Sequence, residues 1–171
     1  MRIRAAVPQD ARPIAEVHVA AWHAAYRGLI PDSYLDELTV AGRLELWQRR
    51  LQQQRPRTSL MVAEDQGMVA GFCLLGPTRD EDGNQETCGE IIALNVRPDC
   101  WRRGVGKSLC ESALDGARAQ RWTTVTLWIL KGNERAGRFY EALGFVLDGT
   151  ERLDSHVIGT PVYELRLRKT L

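Results

Sequence analysis

The segment WRRGVGKS, residues 101–108, ends in a glycine-rich turn followed by lysine and serine. That spelling invites a phosphate-binding reading. A Walker A loop needs glycine, four free residues, then Gly-Lys-Ser/Thr; counting back from Gly106, the first glycine position holds Trp101. The dinucleotide fingerprint Gly-x-Gly-x-x-Gly fails too, because Leu109 stands where its third glycine belongs. What remains is a glycine turn at the start of a helix, whose free backbone amides can hold an anion without lysine or metal. A tight turn with no ligand is the plain alternative. Two further groups can do chemistry. Asn133 and Ala136 lie seven and four residues before Tyr140, so the three share one helical face, and the phenol is its proton donor. Packed in a core, the same ring would be an ordinary aromatic. Glu90 opens an otherwise apolar strand. Partial burial there raises a carboxylate's proton affinity and makes it a better base; the alternative is a solvated residue at a strand start.

These groups need a scaffold, and its elements are readable. Ile3 to Val7 predicts a strand, and Asp10 a cap for a helix whose apolar positions Ile14, Val17, His18, Ala21, Trp22 and Ala25 recur at helical spacing. A short helix from Pro31 to Leu38 and an amphipathic one carrying Leu44, Trp47 and Leu51 follow. SLMVAED and MVAGFCLLG flank Gln66-Gly67 as a hairpin, and TRDEDGNQET (78–87) reads as a mobile polar loop. EIIALNV (90–96) is a strand covered on both sides, Val105 to Gln120 a helix, and TTVTLWIL (123–130) a second buried strand. Asn133 to Leu143 predicts a helix closed by Gly144, and FVLDGTERL and PVYELRLRK predict an antiparallel pair. With no repeat and no linker, residues 1–171 read as a single α/β domain.

Composition narrows the function. The chain has 23 basic and 22 acidic side chains, a net charge of +1, which argues against nucleic acid as a partner. Arg49-Arg50 and Arg166 to Lys169 read as solvated faces or strand edges. No apolar run spans a membrane, and the start MRIRAAVPQD is no signal peptide; a cytoplasmic chain is expected. Cys73, Cys88, Cys100 and Cys110 form no Cys-x-x-Cys pair and read as small buried residues. His18, His23 and His156 lack ligand spacing, so no metal is expected.

The glycine loop resembles the acetyl-CoA motif of the GCN5-related N-acetyltransferase (GNAT) superfamily, Gln/Arg-x-x-Gly-x-Gly/Ala, with Trp101 replacing the usual Gln/Arg. The downstream NERAGRFYEALGF (133–145) matches that superfamily's Asn-x-x-Ala-x-x-x-Tyr followed by Leu-Gly-Phe. The resemblance runs from residue 1 to about residue 168. It implies a mixed sheet of about seven strands flanked by helices and splayed between the fourth and fifth. It also implies acetyl-CoA as co-substrate, used without a metal to acetylate a primary amine by direct attack in a ternary complex. By this similarity the amides of Arg102, Arg103, Gly104, Val105, Gly106 and Lys107 bind the coenzyme's pyrophosphate, and Leu94, Asn95 and Val96 pair with its pantetheine arm as an added strand. Asn133 and Ala136 contact the same arm, and Asn133 can also cap its helix.

Acetyl transfer makes three demands: the amine must lose a proton, the carbonyl oxygen must be stabilised, and the leaving thiolate must be protonated. A lysine-like amine is only about 0.1% neutral near pH 7.4, a penalty of roughly 4 kcal/mol, so a positioned base helps. Glu90 stands six residues before Val96, where the histone-acetyltransferase branch carries its glutamate base; a water chain, Glu81, Asp82 or Glu86 are alternatives. The Leu94 amide is the implied oxyanion donor and Tyr140 the implied donor to sulfur. WHAAYRGLIPDSYLDEL (22–38) resembles the acceptor region of a bacterial branch. Trp22, His23, Tyr26 and Arg27 are therefore candidate contacts to a small-molecule or peptide amine, with packing under the helix and carbonyl bonding at its end as the bland alternatives. A homodimer is admitted. A non-catalytic acyl-CoA sensor is the second function class. A phosphate-loop nucleotide enzyme is disfavoured by Trp101 and by the lack of an acidic residue ending TTVTLWIL.

Overall fold

The computed structural model describes residues 1–53, 55–154 and 161–171; His156 lies outside them. In chain order the elements are β1 (Arg2–Ala5), α1 (Ala11–Tyr26), α2 (Asp32–Glu37), α3 (Val40–Gln52), β2 (Ser59–Asp65), β3 (Met68–Pro77), β4 (Cys88–Val96), α4 (Val105–Ala119), β5 (Thr124–Leu130), α5 (Glu134–Glu141), β6 (Val146–Asp154) and β7 (Val162–Thr170). The strands form one sheet in the order β1-β2-β3-β4-β5-β7-β6. Among the described strand pairs, only β4 and β5 run parallel. Parallel neighbours cannot be joined by a tight turn, and α4 supplies their crossover. The β2–β3 hairpin turns on Gln66 and Gly67, both at positive φ (49° and 79°), the backbone that matches strand twist in a two-residue turn.

Helices cover both faces of the sheet. On one, α4 and α5 pack Leu109, Cys110, Ala113 and Tyr140 against Cys73, Leu127 and Phe145. On the other, α1 and α3 place Ile14, Val17 and Trp47 over Val62, Phe72 and Leu74. Two covered faces account for the unbroken apolar runs of β3 and β4.

The splay lies where expected, between the fourth and fifth strands. Leu74 pairs with Ala93 and Leu75 with Ile91, which leaves Ile92 as the extra residue of a β-bulge. A bulge bends its strand. Pairing of β4 with β5 runs only from Cys88↔Thr124 to Ile91↔Leu127, although β4 continues to Val96 and β5 to Leu130. Beyond the bulge the sheet is open.

Three local readings need correction. Asp10 does not cap α1 through its side chain; its carboxylate accepts from Arg4 Nη1 (2.7 Å), Arg4 Nη2 (3.0 Å) and the Val7 amide (2.8 Å), tying β1 to the turn before α1. The 78–87 loop is tethered rather than loose. Asp82 accepts from Arg166 Nη1 (2.6 Å) and Nη2 (2.8 Å), Asp80 from Trp128 Nε1 (2.9 Å), and Arg57 holds the Gln85 carbonyl (3.0 Å). Arg166, expected on a solvated edge, is only 4% exposed and also donates to Asp148 and Thr150. Charged residues spaced along a strand look solvent-facing until a loop from elsewhere covers them. Cys73, Cys88 and Cys110 are buried and Cys100 half-buried, all as free thiols; burial pushes Cys110 up to about 12.

Candidate active site

The gap beyond the bulge opens into a cleft of ≈ 780 Å³ that reaches both faces of the sheet. The start of α4 and one face of α5 line it on one side; α1 and α3 line it on the other. The sequence scattered these groups over more than a hundred residues.

At the mouth of the cleft, Arg102 and Gly104 both hold left-handed backbone, φ 61° and 83°. A non-glycine residue in that region is uncommon, and such strain collects at functional loops. The turn aims consecutive amides outward. Among the described residues, none of the N–H groups from Arg102 through Lys107 donates to a protein acceptor; the first bond of α4 runs from Ser108 N to Gly104 O at 3.0 Å. Six such donors at the positive end of a helix are able to hold an anion. The side chains contribute less. Val105 is buried in the core, Arg103 does not line the cleft, and Lys107 is exposed and ion-paired with Glu111 at 3.8 Å. Gly106 has a steric role: a Cβ there would meet Phe139 Cζ at 3.3 Å and Val96 Cγ2 at 3.6 Å.

Trp101, the departure from the usual motif, joins this loop to β4. Its indole Nε1 donates to the Val96 carbonyl at 2.7 Å, and Arg135 stacks 3.7 Å above its ring. Arg135 thus brings a cation to the cleft beside the free amides. Sequence reasoning missed it, although its place in the first turn of α5, just before Ala136, was a usable signal.

The edge of β4 is polar where it is open. Arg97 N donates to Ala70 O at 2.9 Å, and hydrogen-bonding direction alternates along an antiparallel strand. Asn95 and Ala93 therefore turn their backbone toward β3, while Leu94 and Val96 turn theirs toward the gap. The Val96 carbonyl is taken by Trp101. That leaves the Leu94 N–H and C=O and the Val96 N–H facing the cleft; Asn95 meets it only through its side chain.

The face shared by Asn133, Ala136 and Tyr140 also lines the cleft. Asn133 caps α5, its Oδ1 accepting from the Ala136 amide at 3.2 Å. Tyr140 packs edge-on against Phe139 and Phe145, with ring centroids 4.9 and 5.6 Å away. Among the described residues its hydroxyl makes no hydrogen bond. Burial raises its pKa well above 10, so it stays a neutral donor.

Glu90 is 1% exposed and held by Arg79. Its Oε2 accepts from the Arg79 backbone N (2.9 Å) and Nε (3.0 Å), its Oε1 from Nη2 (2.5 Å). Three of roughly four lone-pair directions of a carboxylate are occupied, and one on Oε1 is free. Glu81, Asp82 and Glu86 do not line the cleft; Glu164, which does, is paired with Arg152 at 2.7 Å. Trp22 and Tyr26 line the cleft with rings 5.0 Å apart, and burial pushes Tyr26 up to about 12. Arg27 stands outside it, exposed and paired with Asp32 (3.3 Å) and Asp36 (3.1 Å).

His18, on the apolar face of α1, also reaches the cleft. Its Nδ1 accepts from Trp47 Nε1 at 3.2 Å. Burial, helped by Arg43 and Arg50, pulls its pKa down to about 3, so the folded ring is neutral. In the unfolded chain the ring has its ordinary pKa of about 6.5. Between those values only the unfolded chain binds the proton, and stability falls as pH falls, by up to about 1.4 kcal/mol per pH unit. Denaturant unfolding at pH 7, 6 and 5 checks this. His18→Gln, which can still accept from Trp47, is expected to lose stability less steeply than wild type; parallel slopes contradict a buried neutral ring.

Comparison with known proteins adds family and fold. The acetyltransferase (GNAT) family profile matches residues 19–145. A protein named as a probable N-acetyltransferase from Mycobacterium tuberculosis is 32% identical over 152 residues, covering 87% of this chain and 82% of that one. An uncharacterized N-acetyltransferase of Bacillus subtilis is 28% identical over 141 residues, covering 82% and 77%. Among solved structures, the PaiA N-acetyltransferase of Thermoplasma acidophilum in complex with coenzyme A superposes with a TM-score of 0.73 at 18% identity, over 99% of this chain and 98% of that one.

Proposed function

Because the chain belongs to the acetyltransferase (GNAT) family, we propose that it transfers an acetyl group from acetyl-CoA to a primary amine by direct attack within a ternary complex. The observation that carries this reading is the run of free amides from Arg102 to Lys107 beside the open edge of β4. A diphosphate fits the first and an extended amide-bearing arm the second, and both lead into the same cleft. When bound, acetyl-CoA supplies the activated thioester. The Leu94 amide stabilises the carbonyl oxygen as charge grows on it. Glu90 takes the amine's proton through a water, using the free direction on Oε1, while Arg79 holds the carboxylate in place. Tyr140 donates to the leaving sulfur. The Arg79–Glu90 pairing also favours a second reading, an acyl-CoA-binding sensor without turnover. Release of free thiol that depends on an added amine separates the two: it supports the transferase, and acetyl-CoA binding without such release supports the sensor.

Glu90→Gln is expected to lower turnover at neutral pH by about 10²-fold and to regain part of it as pH rises, because the amine then deprotonates unaided. A pH–rate profile parallel to that of wild type removes Glu90 from the proton path.

A further inference from the structure

The chamber on the α1–α3 side holds an imbalance of charge and hydrogen bonding. Arg43 and Arg50 lie seven residues apart on α3, two turns along one face, and both line the cleft. Arg43 lies over Trp22 at 5.6 Å and donates from Nη2 to the Tyr34 hydroxyl at 2.8 Å. Arg50 lies over Trp47 at 5.5 Å. Neither has a carboxylate within 4.0 Å among the described residues, whereas Arg79 is matched by Glu90 and Arg152 by Glu164. Two orphaned donors lie in the same wall. Arg43 Nε is buried and unpartnered. His18 uses Nδ1 as an acceptor from Trp47, so its neutral ring carries its proton on Nε2, which is also buried without a partner. An unsatisfied buried donor costs about 1–3 kcal/mol, and a wall that holds the His18 Nε2–H beside two unmatched guanidinium groups, one of them with its own buried Nε–H unpartnered, is completed by an acceptor of negative charge.

The coenzyme does not supply that charge. Its phosphate cradle lies at the start of α4, on the opposite face of the sheet from α1 and α3. Within the chamber the carboxylates Glu90, Asp154 and Glu164 come from strands and are paired with Arg79 or Arg152, whereas the unmatched cations come from α3, so the surplus positive charge faces the cleft from that helix. We infer that Arg43, Arg50 and His18 Nε2–H form an anion subsite for the acceptor, which is a small amine carrying a carboxylate or a tetrahedral phosphonate-type anion. This deepens the transferase reading and rests on it.

Titration calorimetry in the presence of coenzyme A tests the subsite without turnover. The probes are N-acetyl amino acids, their uncharged carboxamides, and N-acetylaminophosphonates. The acids or the phosphonates are expected to bind about 10- to 100-fold more tightly than the amides, and the better of the two identifies the anion. Arg50→Gln, at the rim, is expected to erase the preference while leaving the acetyl-CoA dissociation constant where it was; Arg43→Gln is the second variant should either misfold. Equal binding of acids and amides, or a preference surviving Arg50→Gln, overturns the subsite. Thiol release run alongside keeps the two ideas apart. An anion preference without thiol release from any amine retains the subsite and overturns the transferase; release with neutral amines and no anion preference does the reverse.

Discussion

Tyr140→Phe is expected to reduce turnover by about 10²-fold or more while acetyl-CoA affinity and melting temperature stay nearly unchanged. The ring is held by Phe139 and Phe145, and phenylalanine preserves those contacts. The hydroxyl has no hydrogen bond among the described residues, so its removal strands no partner and costs little stability. Its pKa, raised by burial, keeps the proton on the oxygen at any pH where the amine attacks. The deficit is expected to shrink with a thioester whose thiol is more acidic, since that group leaves without help. Normal turnover combined with lost stability in Tyr140→Phe contradicts the assignment and makes the hydroxyl structural.

Gly106→Trp is expected to abolish acetyl-CoA binding, a loss read directly by calorimetry. The site leaves no room: even a Cβ lies 3.3 Å from Phe139 and 3.6 Å from Val96, so an indole is driven into the mouth of the cleft. Gly104 differs. A Cβ there meets nothing within 4 Å, and the penalty is the positive φ alone, of order 1 kcal/mol. Gly104→Ala therefore loses less than Gly106→Trp, and Gly104→Trp blocks the cradle by bulk. Lys107→Ala is expected to cost only a few-fold, because its exposed amine is paired with Glu111 and surface pairs are worth ~0–1 kcal/mol. A Lys107→Ala defect as deep as that of Gly106→Trp shows that the side chain, not the backbone, holds the phosphates.

The parts of the site that local chemistry determines were legible in the sequence. Glycines before an amphipathic run announced the α4 cradle, and the three-and-four spacing placed Tyr140 beside Asn133. The parts that long-range pairing determines were not. The Ile92 bulge exists only because β3 and β4 settle one residue out of step. Arg79 lies eleven residues from Glu90 in a loop that looked loose, and its grip follows from the loop folding back. Arg50 is exposed, as its place in a basic cluster implied, but the pattern of a helix shows where its faces are, not which one borders an opening in the sheet. Trp101 broke a motif, and its bond to Val96 became visible only once the end of β4 was placed.

Direct attack of the amine on the bound thioester requires that no acetyl group pass through the protein. Rapid-quench single turnover with excess enzyme, read by intact mass of the protein and by product analysis, tests it most directly. The predicted result is one free thiol and one N-acetylated amine formed together, at equal rates, with the protein mass unchanged at every time point. Thiol release ahead of product, with the protein heavier by one acetyl group, contradicts the account.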